Sequence, residues 1–163
     1  MGLHKQLCNR LIEPWMFITV IVSATEWTNW FHLRNHKDAQ PEINALADAM
    51  WEAQNASVPK LVEYGQWHTP YVEDESETAL EISTARCARV SYLTHEGKKP
   101  TVEADLKLYE QLMGSVPFHA SPAEHQATPV NPEVHVRHLG NLQGWHQFRH
   151  AIGTELIEKK TTE

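Results

Sequence analysis

Residues 15–22 read Trp15-Met16-Phe17-Ile18-Thr19-Val20-Ile21-Val22. Eight uncharged residues, aromatic at one end and β-branched at the other, have the composition of a short strand buried on both faces. The run is too short to cross a bilayer. A strand at this point, with helical patterns on either side, sets the expectation of a mixed α and β chain.

Working outward, Leu3, Leu7, Leu11 and Ile12 recur at helical spacing, while Lys5, Asn9 and Arg10 fall on the other side. Pro14 stops that helix, because proline disfavours helical geometry in the residue before it. On the far side of the strand, Ser23-Ala24-Thr25-Glu26 has the spacing of a capping box and predicts a helix through Arg34. Trp27, Trp30, Phe31 and Leu33 supply its apolar side. The clearest helix runs from Asp38 to Asn55, with Pro41 in its first turn and Ile43, Leu46, Ala47 and Met50 as its buried stripe. Residues 56–78 read as a linker, with Pro59, Gly65, Pro70 and the acidic run Glu73-Asp74-Glu75. A further helix is expected from about Thr78 to Ser91, and another capped by Thr101 that carries Val102, Leu106, Tyr109 and Leu112. Gly114 suits a left-handed C-cap there. Ser121-Pro122-Ala123-Glu124 is a second capping box, with proline at the first helical position. From Pro129 to Glu163 the pattern is irregular.

The 163 residues, 41% of them hydrophobic, suit one compact domain and exclude a disordered tail, a collagen-like repeat and a disulfide scaffold. The absence of a signal-peptide pattern and the presence of only Cys8 and Cys87 point to a reducing cytoplasmic setting, without a membrane partner. Asn55-Ala56-Ser57 matches a glycosylation sequon, but nothing else suggests secretion. A net charge of −7 with no Lys/Arg stripe argues against nucleic acid as a partner.

Eleven histidines, six of them from His119 to His150, raise the question of a metal. His135 and His138 are three apart, and His146 and His150 four apart, which would share a helical face. The cysteines are 79 positions apart and no His-Glu-x-x-His pattern occurs, so no metal site is assigned. Nor is a hydrolase or nucleotide triphosphatase announced, since there is no nucleophile elbow and no phosphate-binding loop. Both cysteines read as small buried hydrophobes. Two features remain. A helix start at Ser121, with His119 and Glu124 nearby, would present N–H groups to a phosphate or a polar cofactor atom, or simply be an ordinary cap. Arg10 and Arg34, each on the polar side of a helix, suit a planar anionic or carbonyl partner, or a surface ion pair.

Several stretches resemble one family. Leu3-His4-Lys5-Gln6 with Asn9 to Pro14, then Ala24-Thr25-Glu26-Trp27 to Leu33-Arg34, then Asp38 to Ile43, resemble the C-terminal half of flavin-dependent thymidylate synthases. Ala88-Arg89-Val90-Ser91-Tyr92, followed by His119 and Ser121-Pro122-Ala123-Glu124-His125, resembles that family's N-terminal half. The order is the permuted one of phage and some bacterial relatives. Residues 3–55 and 79–130 are thus the two halves of one partial domain, joined by the 56–78 linker.

The resemblance implies an α/β (α+β) fold in which helices pack on a small, mainly antiparallel sheet. It also implies reductive methylation of dUMP to dTMP, with FAD as cofactor and NADPH and methylene-tetrahydrofolate as co-substrates, in a homotetramer. Arg34 would contact the dUMP pyrimidine and act in catalysis, and Arg10 would bind dUMP. Asn29, Ser91, His119, Ser121 and Glu124 would stand on the flavin side. The family's Arg-His-Arg signature does not occur, and Phe148-Arg149-His150 only faintly echoes it. The usual phenylalanine before the glutamate is Ala123. These departures give the alternatives of a split enzyme completed by a partner chain, and of a non-catalytic nucleotide- or flavin-binding assembly module.

Overall fold

In the computed structural model, residues 2–73, 76–90, 100–131 and 141–153 are described. Helix α1 (Lys5–Ile12) forms where the leucines recur, and the His4 ring Nδ1 caps it by accepting from the Gln6 N–H at 3.3 Å. Pro14 ends it as its geometry requires, and the chain tightens into a 3-10 turn over Glu13–Trp15.

Beyond this turn the expected buried strand does not form. Residues 16–22 have no ladder partner among the described residues, and Phe17 is fully exposed. The composition favours extended backbone, but a strand is stable only when a neighbour takes its N–H and C=O groups.

Helix α2 (Thr28–Arg34) starts later than the Ser23 capping box predicts. Ser23 and Thr25 bond to distant segments, and Glu26 Oε1 accepts from the Thr28 N–H at 2.7 Å. Hydrogen bonds from the Thr28 side chain and, next, its backbone N–H hold the Glu26 carboxyl below its ordinary range. Helix α3 (Pro41–Ala56) follows the predicted span within a few residues, with Pro41 at its start. It packs on α2, with Ala47 fully buried and Phe31 meeting Trp51 edge-to-face at 4.9 Å between ring centroids. Leu46, expected in the buried stripe, is exposed. The α2 contact covers only one narrow side of α3.

Helices α4 (Ala79–Arg89) and α5 (Val102–Met113) pack against each other. Thr101 caps α5 as expected, accepting from the Ala104 N–H at 3.3 Å. Gly114 ends α5 with φ −80°, not in the left-handed conformation expected of it. Its glycine has a different reason, because a Cβ there would stand 2.8 Å from the Glu110 carbonyl oxygen.

The two helices are joined by Asp105, a fully buried carboxylate. Arg86 Nε donates to its Oδ2 at 3.0 Å and Arg89 Nε to its Oδ1 at 3.1 Å. Each guanidinium also reaches a carbonyl, Arg86 that of Tyr71 at 2.7 Å and Arg89 that of Ala104 at 2.8 Å. A buried charge is tolerable only when paired and hydrogen-bonded in this way.

The region after Pro129 is not wholly irregular, contrary to expectation. Strand β1 (Ala127–Pro129) pairs antiparallel with β2 (Trp145–Gln147), in the register Ala127 to Gln147 and Pro129 to Trp145. His68 bridges to Ala127, with its N–H 2.8 Å from the Ala127 oxygen. Residues 148–153 are helical. From this stretch, Phe148 and Ile152 join Met113, Ala123, Tyr109, Leu112 and Phe118 in the hydrophobic core. Trp67 meets Phe148 edge-on at 5.8 Å, so the 56–78 segment packs on this core. The class is α+β, with helices dominant and one two-stranded antiparallel sheet among the described residues. No helix among them is long and apolar enough to cross a membrane.

Candidate functional site

The C-terminal end of α4 and the turn that follows α5 border an open cleft of about 710 Å³. Cys87, Ala88 and Val90 come from α4 and its cap, and Leu112 from α5. Phe118, His119, Ser121, Pro122 and His125 come from the segment after α5, and Ile18–Ile21 from the extended N-terminal run. Backbone bonding sets this geometry. The His119 N–H donates to the Leu112 carbonyl at 3.0 Å, turning the chain back over the end of α5. Pro122 then starts a four-residue 3-10 turn, Ser121–Glu124.

Beneath the turn, Gln126 is fully buried. With its amide NH₂ directed at the Pro122 carbonyl (3.1 Å), its oxygen accepts from Ser83 Oγ (3.0 Å) and the Thr84 N–H (3.2 Å). One side chain thereby ties the turn to α4.

The polar groups of the cleft differ in character. Burial pushes the Cys87 thiol up to about 11, against which its hydrogen bond to Ser83 works only in part. It stays protonated at neutral pH and is no nucleophile. Burial lowers the His125 pKa and the neighbouring Glu124 charge opposes that shift, so the ring is held toward its neutral form. Ser23 Oγ lies 3.1 Å from His125 Nδ1. Ser23 is itself held, its carbonyl accepting from Asn141 Nδ2, and Thr25 bonds to both Asn141 and Gln143. The 23–25 segment is thus stitched to a turn more than a hundred residues away, and that link brings His125 its partner.

Of the residues singled out from sequence, His119 and Ser121 line the cleft. Glu124 does not. Its carboxylate pairs with Arg149, and its backbone oxygen accepts from Gln147 Nε2 at 2.7 Å. The second capping box is therefore not made. The turn is a short 3-10 element preceded by Ala120, without a side-chain cap, because Arg149 takes the glutamate that was to bond back. Arg10 on α1, and Asn29 and Arg34 on α2, are exposed, and none lines the cleft. Ser91, and the His135 and His138 pair, lie outside the described residues. His146 sits in β2 and His150 in the helix after it, with ring centroids 5.4 Å apart, so they do not share one helical face. No three potential metal ligands cluster among the described residues.

Sequence reasoning missed Gln126, Asp105 and the two arginines on it. The i, i+3 spacing of Arg86 and Arg89 was the available signal, since it puts both on one helical face. It also missed Arg149 as the partner of Glu124, which no local pattern encodes.

The cleft combines apolar walls with two histidines and a serine, and its volume falls in the range that admits a flavin ring or a nucleotide base. Its described lining holds no Lys or Arg, so a diphosphate would have to be met by cations from outside it. Comparison with family models, with curated proteins and with solved structures finds no match to this chain.

Proposed function

We propose that the cleft is the flavin-side pocket of a flavin-dependent thymidylate synthase of the permuted kind, acting on dUMP. One observation carries the reading. Ala88 and Val90, and His119, Ser121 and His125 about thirty residues later, all belong to the stretches that resemble the family's N-terminal half, and all five line one cleft. The protonated Cys87 agrees with a reaction that needs no cysteine nucleophile.

In this reading FAD, when bound, supplies hydride transfer. The chain's own residues hold and orient. Phe118 and the apolar Ile18–Ile21 run would cover the faces of a planar ring, and His119, Ser121 and His125 offer hydrogen-bonding atoms at its edge. Arg34 would stand beside N3 of the pyrimidine. A fixed cation there favours the N3 anion and enriches the ring as a nucleophile. Asn29 and Arg10 would complete the flavin and dUMP contacts. All three lie outside the cleft lining, so they reach bound ligands from another subunit of a homo-oligomer or from a partner chain. NADPH and methylene-tetrahydrofolate are the co-substrates.

The test is a visible absorption titration with FAD, followed by thermal unfolding with dUMP added. Saturation at about a hundred times the dissociation constant stabilises by about 2.7 kcal/mol, a rise of roughly 5–10 °C in a chain of this size. No perturbed flavin band and no dUMP-linked rise would sink the proposal. A second reading, a non-catalytic assembly module on the same fold, is favoured by the cleft's lack of a cation and by the engagement of Glu124 with Arg149. It predicts flavin binding without turnover, even when an Arg-His-Arg segment is supplied in trans.

A further inference from the structure

Every described side chain from Gly2 to Val20 is exposed. Among them are Leu3, Leu7, Leu11, Ile12, Trp15, Met16, Phe17, Ile18 and Val20. Ile18 and Val20 also line the cleft; taking about 150 Å² for each of the other seven side chains and the fractions at which they are exposed, the arm presents on the order of 700 Å² of apolar surface. The largest patch on a monomer is typically about 300–600 Å². A standard interface takes about 800 Å² from each partner. This arm alone comes near that requirement.

On α1, Leu7 and Leu11 form one stripe, continued by Leu3 before the helix and flanked by Arg10. A second uncovered stripe lies on α3. Ala45, Leu46, Ala49 and Ala53 recur at helical spacing, and all four are exposed. Three small residues let a second helix approach closely. The charges match as well. Arg10 borders the α1 stripe within about 60° of Leu7, whereas α3 carries Glu42, Asp48 and Glu52 and no basic residue.

We propose that the α1 arm of one copy packs its leucine stripe on the α3 alanine stripe of a second copy, in a two-fold dimer with reciprocal arms. This surface rests on exposure and charge, and stands whether or not the flavin reading holds. A two-fold dimer makes the α1–α3 contact twice, and so covers both faces that the single chain leaves open.

Cys8 is exposed on α1, Cys87 is buried, and Ala49 lies in the middle of the α3 stripe. The chain carrying Ala49→Cys, oxidised mildly at low micromolar concentration, is expected to give a disulfide-linked dimer that Cys8→Ser abolishes. Sedimentation velocity of the unmodified chain should show a dimer. Leu7→Glu with Leu11→Glu should raise its dissociation constant at least a hundredfold, and Arg10→Glu several-fold in a salt-dependent way. Circular dichroism of these variants checks that they are folded, and the oxidation result stands independently of them. A cross-linked monomer, meaning α1 folds back on its own α3, would overturn the proposal. So would a chain that stays monomeric and uncross-linked to about 100 µM, well above the micromolar-to-picomolar range that interfaces of standard size span.

Discussion

Replacing Asp105 with Asn keeps the shape of the side chain and removes its charge. The carboxylate is completely buried and accepts from Arg86 and Arg89 at 3.0 and 3.1 Å. Removing one partner of a buried ion pair costs about 3–5 kcal/mol, because the opposite charge is left unpaired. Here the two guanidiniums remain 30% and 32% exposed and regain water when the charge goes, which places the loss near the lower end, about 3 kcal/mol. In a chain of this length that lowers the melting temperature by about 6–12 °C. Urea unfolding followed by tryptophan fluorescence should show a lower midpoint with an unchanged slope. The same substitution in an Arg86→Met, Arg89→Met background should cost much less, since the charges it strands are no longer there. A loss below 1 kcal/mol, or an equal loss in both backgrounds, would refute the reasoning. α4 carries Cys87, Ala88 and Val90 into the cleft, so the variant should also weaken any ligand that binds there.

Gly114→Ala places a methyl group 2.8 Å from the Glu110 carbonyl oxygen, a backbone atom that cannot swing away. The overlap is expected to outweigh the gain from a stiffer unfolded chain and to cost about 1–2 kcal/mol, read as a lower urea midpoint. Burial lowers the pKa of His68, His125 and His150 below 6.5, so their stabilising contribution is complete above that value. The unfolded chain binds protons first, and stability is lost as pH falls from 6.5 through the lowered values. Melting temperatures from pH 8 to pH 5 should show that decline, and His125→Asn should make it shallower. With the Cys87 thiol at about 11 and buried, a thiol reagent at pH 8 should label Cys8 promptly and Cys87 only on unfolding. Rapid labelling of both would contradict the burial.

Helices α3, α4 and α5 could be read from the chain because their signals are local. Pro41 at a first helical position, Thr101 as a cap and apolar residues three and four apart all act within one or two turns. His119 and Ser121 were singled out as neighbours in one short motif, although the capping box it suggests is not made. The strand at residues 15–22 was misread because burial is not local. Eight uncharged residues, seven of them apolar, state a preference, and a partner must exist to satisfy it. β1 and β2 went unseen for the converse reason. At three residues each they have too little pattern to detect, and they exist because Ala127 and Gln147 meet across the fold.

What the sequence determined by itself was the positions of α1, α3, α4 and α5 and the apolar content of the N-terminal arm, all properties of neighbours along the chain. The tertiary structure decided which polar groups are paired. Glu124 finds Arg149 instead of its own backbone, His125 lies beside Ser23, and Asp105 collects two arginines from another helix. Those partners are between 16 and 102 residues apart. Closing such loops costs entropy that only the packed core repays, so no window along the chain can reveal which pairs form.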